Sequence, residues 1–134
     1  MSRFVNSLKI IFSVFGTAEW QAENIKTLPS RQLNQDSGEY LRVDIVPSEL
    51  GTTKDSINGL VLVDLFVDRS NCNLRSSEIS DILDKYITNR EVKDQEENVV
   101  QFFSSTLRPS VNDREERLLV HYQYSVSFNY HGVN

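Results

Sequence analysis

The sequence predicts an α+β fold: a mixed or antiparallel sheet of about four strands with two helices packed on it, in the order helix-strand-strand-helix-strand-strand. Three patterns predict it. Apolar residues recur at helical spacing between Phe4 and Phe15 and between Ile79 and Ile87. They alternate with polar residues from Tyr40 to Val46 and from Leu118 to Tyr130. The segments in between are polar and short, so the simplest assembly is two antiparallel hairpins in one sheet with both helices on a face.

The first helix rests on Phe4, Leu8, Ile11 and Phe15, spaced four, three and four apart, with Val5, Phe12 and Val14 widening the stripe. The run is interrupted by Lys9, is too short to cross a bilayer and lacks a small-x-small cleavage pattern, so an amphipathic helix docked on the core is expected. Gly16 is a suitable stop, able to take the left-handed conformation that ends many helices. Residues 16 to 39 hold Trp20, Asn24, Pro29 and the turn-like run Asn34 to Gly38, and are expected to form mostly a connecting arm.

Tyr40 to Val46 places Leu41, Val43 and Ile45 on one side and Arg42 and Asp44 on the other, a half-buried strand that Pro47 ends. Ser48 to Asn58 is too long and polar for a tight turn and is expected to project as a loop. Gly59 then opens Leu60 to Val67, apolar on both sides apart from Asp64, the pattern of a central strand covered on both faces. Ser76 is a candidate cap for a helix with Glu78 in its first turn. Ile79, Ile82, Leu83, Tyr86 and Ile87 form its buried stripe, with Asp81, Asp84 and Lys85 on the other face. Arg90 to Asn98 is a charged connection, Val99 to Leu107 a third strand, and Arg108-Pro109 its end.

From Leu118 to Tyr130 one face carries Leu118, Val120, Tyr122, Tyr124, Val126, Phe128 and Tyr130, and the other Leu119, His121, Gln123, Ser125, Ser127 and Asn129. Thirteen extended residues span roughly 40 Å, beyond the usual strand length. Such a strand is expected to outrun a small sheet, leaving part of its greasy face for a second subunit or the first helix to cover.

The chain has 134 residues, which suits a single domain over 1–134 that buries about two-thirds of the surface of its unfolded form. A hydrophobic fraction of 39% and a charged fraction of 25% are ordinary for a globular protein. The net charge of −5 disfavours adhesion to phosphate backbones or anionic lipid. Cys72 is the lone cysteine, so no internal disulfide and no multi-cysteine zinc site can form.

Catalytic chemistry finds no constellation. His121 and His131, if both extended, stand about 33 Å apart and cannot share a metal, so they are expected as surface histidines. Cys72 has no histidine neighbour in sequence, and the five glycines never approach the spacing of a phosphate-binding loop. The run Asp113 to Arg117 alternates charge as a solvated turn does. Asp44 and Asp64 lie on strands that could approach, which would raise one pKa or make a cation site; pairing with Arg or exposure at an edge is the expected outcome. The aromatics of the last strand face Gln, Ser and Asn instead of cations, fitting a core or subunit interface better than a nucleic-acid platform. Trp20 is expected to anchor the arm to the core or to a partner.

Across nearly the whole chain, the order and spacing of these elements resemble the tail terminator, or tail completion, proteins of long-tailed bacteriophages. The resemblance is carried by the N-terminal helix and the arm through Trp20, Asn24 and Pro29, the strand Tyr40-Leu41-Arg42-Val43 closing at Pro47, and Gly59 before Asp64-Leu65-Phe66. It continues with the helix at Ser77-Glu78-Ile79 and the strand Tyr124-x-Val126-x-Phe128-x-Tyr130. Asp68 to Asn73 departs from the pattern by lacking a glycine. The resemblance implies a virion protein and no enzyme or cofactor: a homo-oligomeric ring, a hexamer, that caps the tail tube, ends polymerisation of the tube protein and presents a joining surface to the head-completion or connector protein. DNA would pass through its channel without specific binding, and no membrane is involved. The contact candidates are Trp20, Arg42, Asp44 and Asp64 together with Ser48, Glu49, Thr52, Thr53, Lys54 and Asp55. Another phage neck subunit, or a small α+β ligand-binding module using the loop after Pro47, are the alternatives.

Overall fold

A computed structural model describes residues 3–29, 38–47, 56–110 and 119–132. Its centre is a six-stranded mixed sheet curled into a half-barrel, with the strands in spatial order β1-β2-β3-β6-β5-β4. The strands are β1 (Thr27–Pro29), β2 (Tyr40–Pro47), β3 (Ser56–Asp68), β4 (Glu91–Lys93), β5 (Val99–Pro109) and β6 (Leu119–His131). Two long helices, α1 (Arg3–Phe15) and α3 (Cys72–Tyr86), lie against it, and a short α2 (Ala18–Ala22) follows α1.

This corrects the expected four-stranded sheet carrying two helices. The two extra strands have three residues each, too few for an alternation to show, and both lie at sheet edges. β1 runs parallel to β2, whereas every other pairing is antiparallel, which makes the sheet mixed. The register of β5 on β6 slips between Phe102 and Ser105, and a bulge of this kind bends a strand and increases its twist. The curl has a local cause there.

β6 does not outrun the sheet. It pairs along its whole length with β3, from Leu119 opposite Asp68 to His131 opposite Ser56, and β5 lies on its other side. Tyr124, Val126, Phe128 and Tyr130 are buried within one copy by the helices. The expectation of an overhang fails because β3 is just as long: it opens at Ser56, inside the stretch read as loop.

The inner face joins Leu41, Val63, Leu65, Val126 and Phe102 to Ile10 and Ile11 of α1 and Ile79 and Leu83 of α3. Each such side chain contributes about 1.5–3 kcal/mol by leaving water. Gly59 is required where the strands approach: a Cβ there would stand 2.5 Å from the Val46 carbonyl oxygen and 2.9 Å from the Phe128 ring. The outer face of β3 is uncovered by any described helix, so Leu62, Asp64 and Phe66 are half-buried and Leu60 is exposed. The expectation of a strand covered on both faces is corrected: its apolar outer residues stand on an open surface.

α1 docks on Ile10, Ile11, Val14 and Phe15, together with Asn6 and Ser7. Phe4 and Leu8, expected on the buried stripe, point outward instead. Apolar residues cover so much of this helix that periodicity alone does not select the docking side. Asn6 settles it, because its side-chain amide donates to the Tyr130 hydroxyl at 3.2 Å. Gly16 ends α1 with its N–H on the Ser13 carbonyl at 3.1 Å and without the left-handed backbone expected of it. α3 begins at Cys72, four residues before the expected cap Ser76, since the 3-10 turn Arg69–Asn71 feeds straight into it and needs no glycine.

Candidate interaction surfaces

The strand registers place the outer-face residues in rows across the sheet. Arg42 of β2 stands opposite Asp64 of β3, which stands opposite Gln123 of β6, which stands opposite Arg108 of β5. In the neighbouring row Tyr40 stacks on Phe66 with ring centroids 4.5 Å apart, and Phe66 stacks on His121 at 4.6 Å. The Arg42 guanidinium lies over both the Tyr40 and Phe66 rings, at 5.8 and 5.6 Å from their centroids. His121 Nε2 is 2.8 Å from Asp64 Oδ1, and the Gln123 amide donates to the same oxygen at 3.4 Å. His121 is a half-buried residue of the outer face that is also bonded and stacked within this cluster, and His131 is exposed.

Burial pushes the Asp64 carboxyl up, but the hydrogen bond and charge of His121, the Gln123 amide and the Arg42 charge outweigh it and hold the group below the usual carboxylate range. Asp44 is opposite Leu62, one row away, and its Oδ1 accepts the Ile45 N–H at 3.0 Å. Asp64 thus stands across from Arg42 and not Asp44, and its bonded partner is His121. Among the described residues no group of three or more His, Cys, Asp or Glu could hold a metal ion.

Trp20 is buried at 2% exposure, with edge-to-face contacts to Phe15 and Tyr86, and its Nε1 donates to Thr27 Oγ1 at 3.0 Å. It anchors the arm to the core and, being buried, presents no surface to a partner, contrary to its place among the contact candidates. The arm owes this to Thr17, whose side chain caps α2 by accepting the Trp20 N–H at 3.2 Å. Ser48, Glu49, Thr52, Thr53, Lys54 and Asp55 lie outside the described residues, as does the Asp113 to Arg117 run.

A second polar cluster was hidden from sequence. Asp84, assigned to the solvent side of α3, turns onto the sheet at the β5 bulge, where its Oδ1 accepts the hydroxyls of Thr88 at 2.6 Å, Ser105 at 2.7 Å and Tyr124 at 2.7 Å. Burial raises the Asp84 pKa, but these three hydroxyls more than reverse that and lower it. Burial and the neighbouring carboxylate push the Tyr124 hydroxyl well above its ordinary range. The helical spacing of Asp84 and Thr88, four residues apart, was the available signal for half of this cluster.

Among the described residues, two patches of apolar side chains lie on the surface. One is Phe4, Val5 and Leu8 on α1; the other is Val46, Leu60 and Phe103 on the outer sheet face, and all six are between 39% and 50% exposed. The second patch borders a groove of about 570 Å³ that also reaches Pro47, Asn58 and Ser127. A separate cleft of about 580 Å³ lies between α1, α2 and β1, beside Phe12, Trp20, Asn24 and Leu28. No helix among the described residues is long and apolar enough to cross a membrane.

No family model and no curated protein matches the chain. A solved structure of a protein whose name carries no functional description is similar to it, with a TM-score of 0.63 at 13% sequence identity, covering 95% of this chain and 96% of that one. At that identity the likeness shows that the two chains share a fold along nearly their whole lengths.

Proposed function

We propose that the protein is a structural subunit of a phage virion, forming a ring, a hexamer, that caps the tail tube at its head-proximal end. In that role it ends polymerisation of the tube protein and offers a joining surface to the head-completion protein, while DNA passes through the channel without specific binding. It makes and breaks no covalent bonds. The order and spacing of the elements support this reading through their resemblance to tail terminators. The observation that carries it is the pair of clustered apolar patches: single exposed apolar residues are ordinary, whereas clusters mark surfaces meant for contact. β6 offers no such surface, since its apolar face is sheltered within one copy.

Light scattering and electron microscopy of the purified protein, alone and with tube protein, test the proposal. Rings at high concentration or at tube tips are expected. Persistent monomers that bind no tube tip would refute it. Binding to a connector protein but not to tube tips would move the assignment to another neck subunit. The cleft beside Trp20 favours one further reading, a small ligand-binding module. A ligand at about 100 times its dissociation constant would then add roughly 2.7 kcal/mol in a thermal-shift screen.

A further inference from the structure

The two edges of the sheet are stepped, and the steps fit one another. On one side β4 and the residues leading into it cover β5 only as far as Phe103, whose carbonyl accepts the Asn89 N–H at 3.1 Å. Beyond that point Ser104 to Arg108 has no strand beside it among the described residues. On the other side β1 covers β2 from Leu41 to Val43 and stops, which leaves Asp44 to Pro47 bare in the same sense. The bare stretches lie at opposite ends of the sheet: Pro47 is in the row of Gly59 and Phe128, and Arg108 is in the row of Gln123 and Asp64. We propose that β5 of one copy pairs with β2 of the next through these stretches, so that the sheet runs on from copy to copy. This deepens the ring reading above and rests on it.

Direction, face and hydrogen bonding agree on one register. β2 and β5 run antiparallel within a chain, through β3 and β6, so a second copy set beside the first in the same orientation meets it antiparallel. Setting Leu107 opposite Ile45 then places Ser105 opposite Pro47, Thr106 opposite Val46 and Arg108 opposite Asp44. Thr106 and Arg108 belong to the outer face, as do Val46 and Asp44, while Leu107 and Ile45 are half-buried apolar residues of the inner face. The backbone alternates to match. Ser110 donates its N–H to the His121 carbonyl on β6, so Arg108 and Thr106 also point to β6, and Leu107 and Ser105 point to the bare edge. Leu41 donates to the Lys26 carbonyl beside β2, so Ile45 points to that same side. Leu107 and Ile45 would therefore exchange two backbone bonds, and Ser105 would donate a third to the Pro47 carbonyl. In one copy the Ile45 N–H is held by its neighbour Asp44 Oδ1 at 3.0 Å, and moving it to Leu107 releases that carboxylate toward Arg108.

Charge selects the occupant locally. Arg42 and Asp64 already stand opposite each other inside one copy, whereas Arg108 and Asp44 stand at the two edges. Pairing two β5 edges, or two β2 edges, would not bring these two together. A bare edge is a template for another strand, and strand addition draws its affinity from main-chain bonds more than from apolar area. Joining one edge to a different edge is heterologous and gives a ring if the rotation closes. So short a joint is weak alone, and closure, which holds every copy at two joints, stabilises the assembly.

The test uses the full chain, with assembly read by sedimentation and by decoration of tube tips. Asp44→Arg and Arg108→Asp are each expected to raise the concentration for half-assembly by about tenfold or more, and the double variant is expected to restore it. Val46→Cys and Thr106→Cys, each combined with Cys72→Ser, would face each other across a non-hydrogen-bonded pair whose Cα atoms are about 4.5 Å apart, within reach of a disulfide. Mixed and oxidised, these two chains are expected to cross-link to each other, and neither to itself. The cysteine pair decides where a charge variant does not fold by circular dichroism. Single charge variants that assemble as the parent does, a folded double variant that does not recover, or cysteine chains that form no mixed dimer while the parent assembles would overturn this joint and leave the ring reading standing. A parent chain that forms no assembly alone or on tubes would remove the ring reading and this inference together.

Discussion

Replacing Asp84 with Ala should expose how the sheet holds its bulge. One carboxylate oxygen accepts three hydroxyls, from Thr88, Ser105 and Tyr124, at 2.6 to 2.7 Å. Hydrogen bonds to a charged group contribute about 1.5–3 kcal/mol each, so three would set an upper bound of about 9 kcal/mol. Two effects reduce it. Thr88 and Tyr124, whose oxygens are 2.9 Å apart, are free to bond each other once the carboxylate is gone. The site is also only partly buried, so water replaces part of what is lost. A loss of about 2–3 kcal/mol is expected in urea unfolding, with the slope against denaturant unchanged. For a chain of this length that is a fall in Tm of about 8–12 °C. Tyr124→Phe keeps the ring and removes one bond, and should cost about 1–1.5 kcal/mol. The two variants should fail to add, because they share a network. A loss under about 0.5 kcal/mol for Asp84→Ala, or strict additivity, would refute the claim that this oxygen organises the bulge.

Other substitutions probe the remaining features. Gly59→Ala should destabilise by about 1–3 kcal/mol in the same assay, because the added methyl meets backbone and ring at 2.5 and 2.9 Å; a neutral result would mean that β2 and β3 separate easily. Trp20→Ala should cost about 3–5 kcal/mol and free the arm to proteolysis between residues 16 and 29, whereas a contact residue on the surface would cost almost nothing. Asp64 has a folded pKa below its ordinary value of 3.8, so its contribution is fully present above that value and is lost as pH falls through the lower folded value. Asp64→Asn should therefore flatten the acid limb of the stability profile, read by thermal melts from pH 5 down to pH 2, and an unchanged limb would count against the ionised cluster on the outer face.

The period-two pattern made the hydrogen-bonded centre of the fold legible. Leu41 and Val43 face inward on β2, and the alternation of β6 splits between buried Tyr124, Val126 and Phe128 and the half-buried Gln123, Ser125 and Ser127. Composition could not say what covers a face. Leu60, Leu62 and Phe66 suggested burial on both sides of β3, yet no described helix reaches their side of the sheet. α1 shows the same ambiguity, since Phe4 and Leu8 are as apolar as Ile10 and Ile11, and hydrogen bonds from Asn6 to Tyr130 and from Arg3 to the Ser56 carbonyl mark the docked side. The polar clusters were illegible for a related reason. Asp64 and His121 are 57 residues apart and meet through strand register, and Asp84 and Tyr124 are 40 apart and meet only because α3 packs on the sheet.

The order of strands in space also governs when the chain can fold. β6 is the last strand along the polypeptide, yet it lies between β3 and β5 and pairs with both. On a ribosome, β2 and β3 emerge with one flank of β3 bare, and the hydroxyl partners of Asp84 are incomplete until Tyr124 arrives. Distant pairings of this kind slow folding and prolong the exposure of sticky edges. Synthesis halted just before Leu119 would leave two half-sheets without the strand that hydrogen-bonds them together, held only through the helices, a nascent species suited to capture by chaperones.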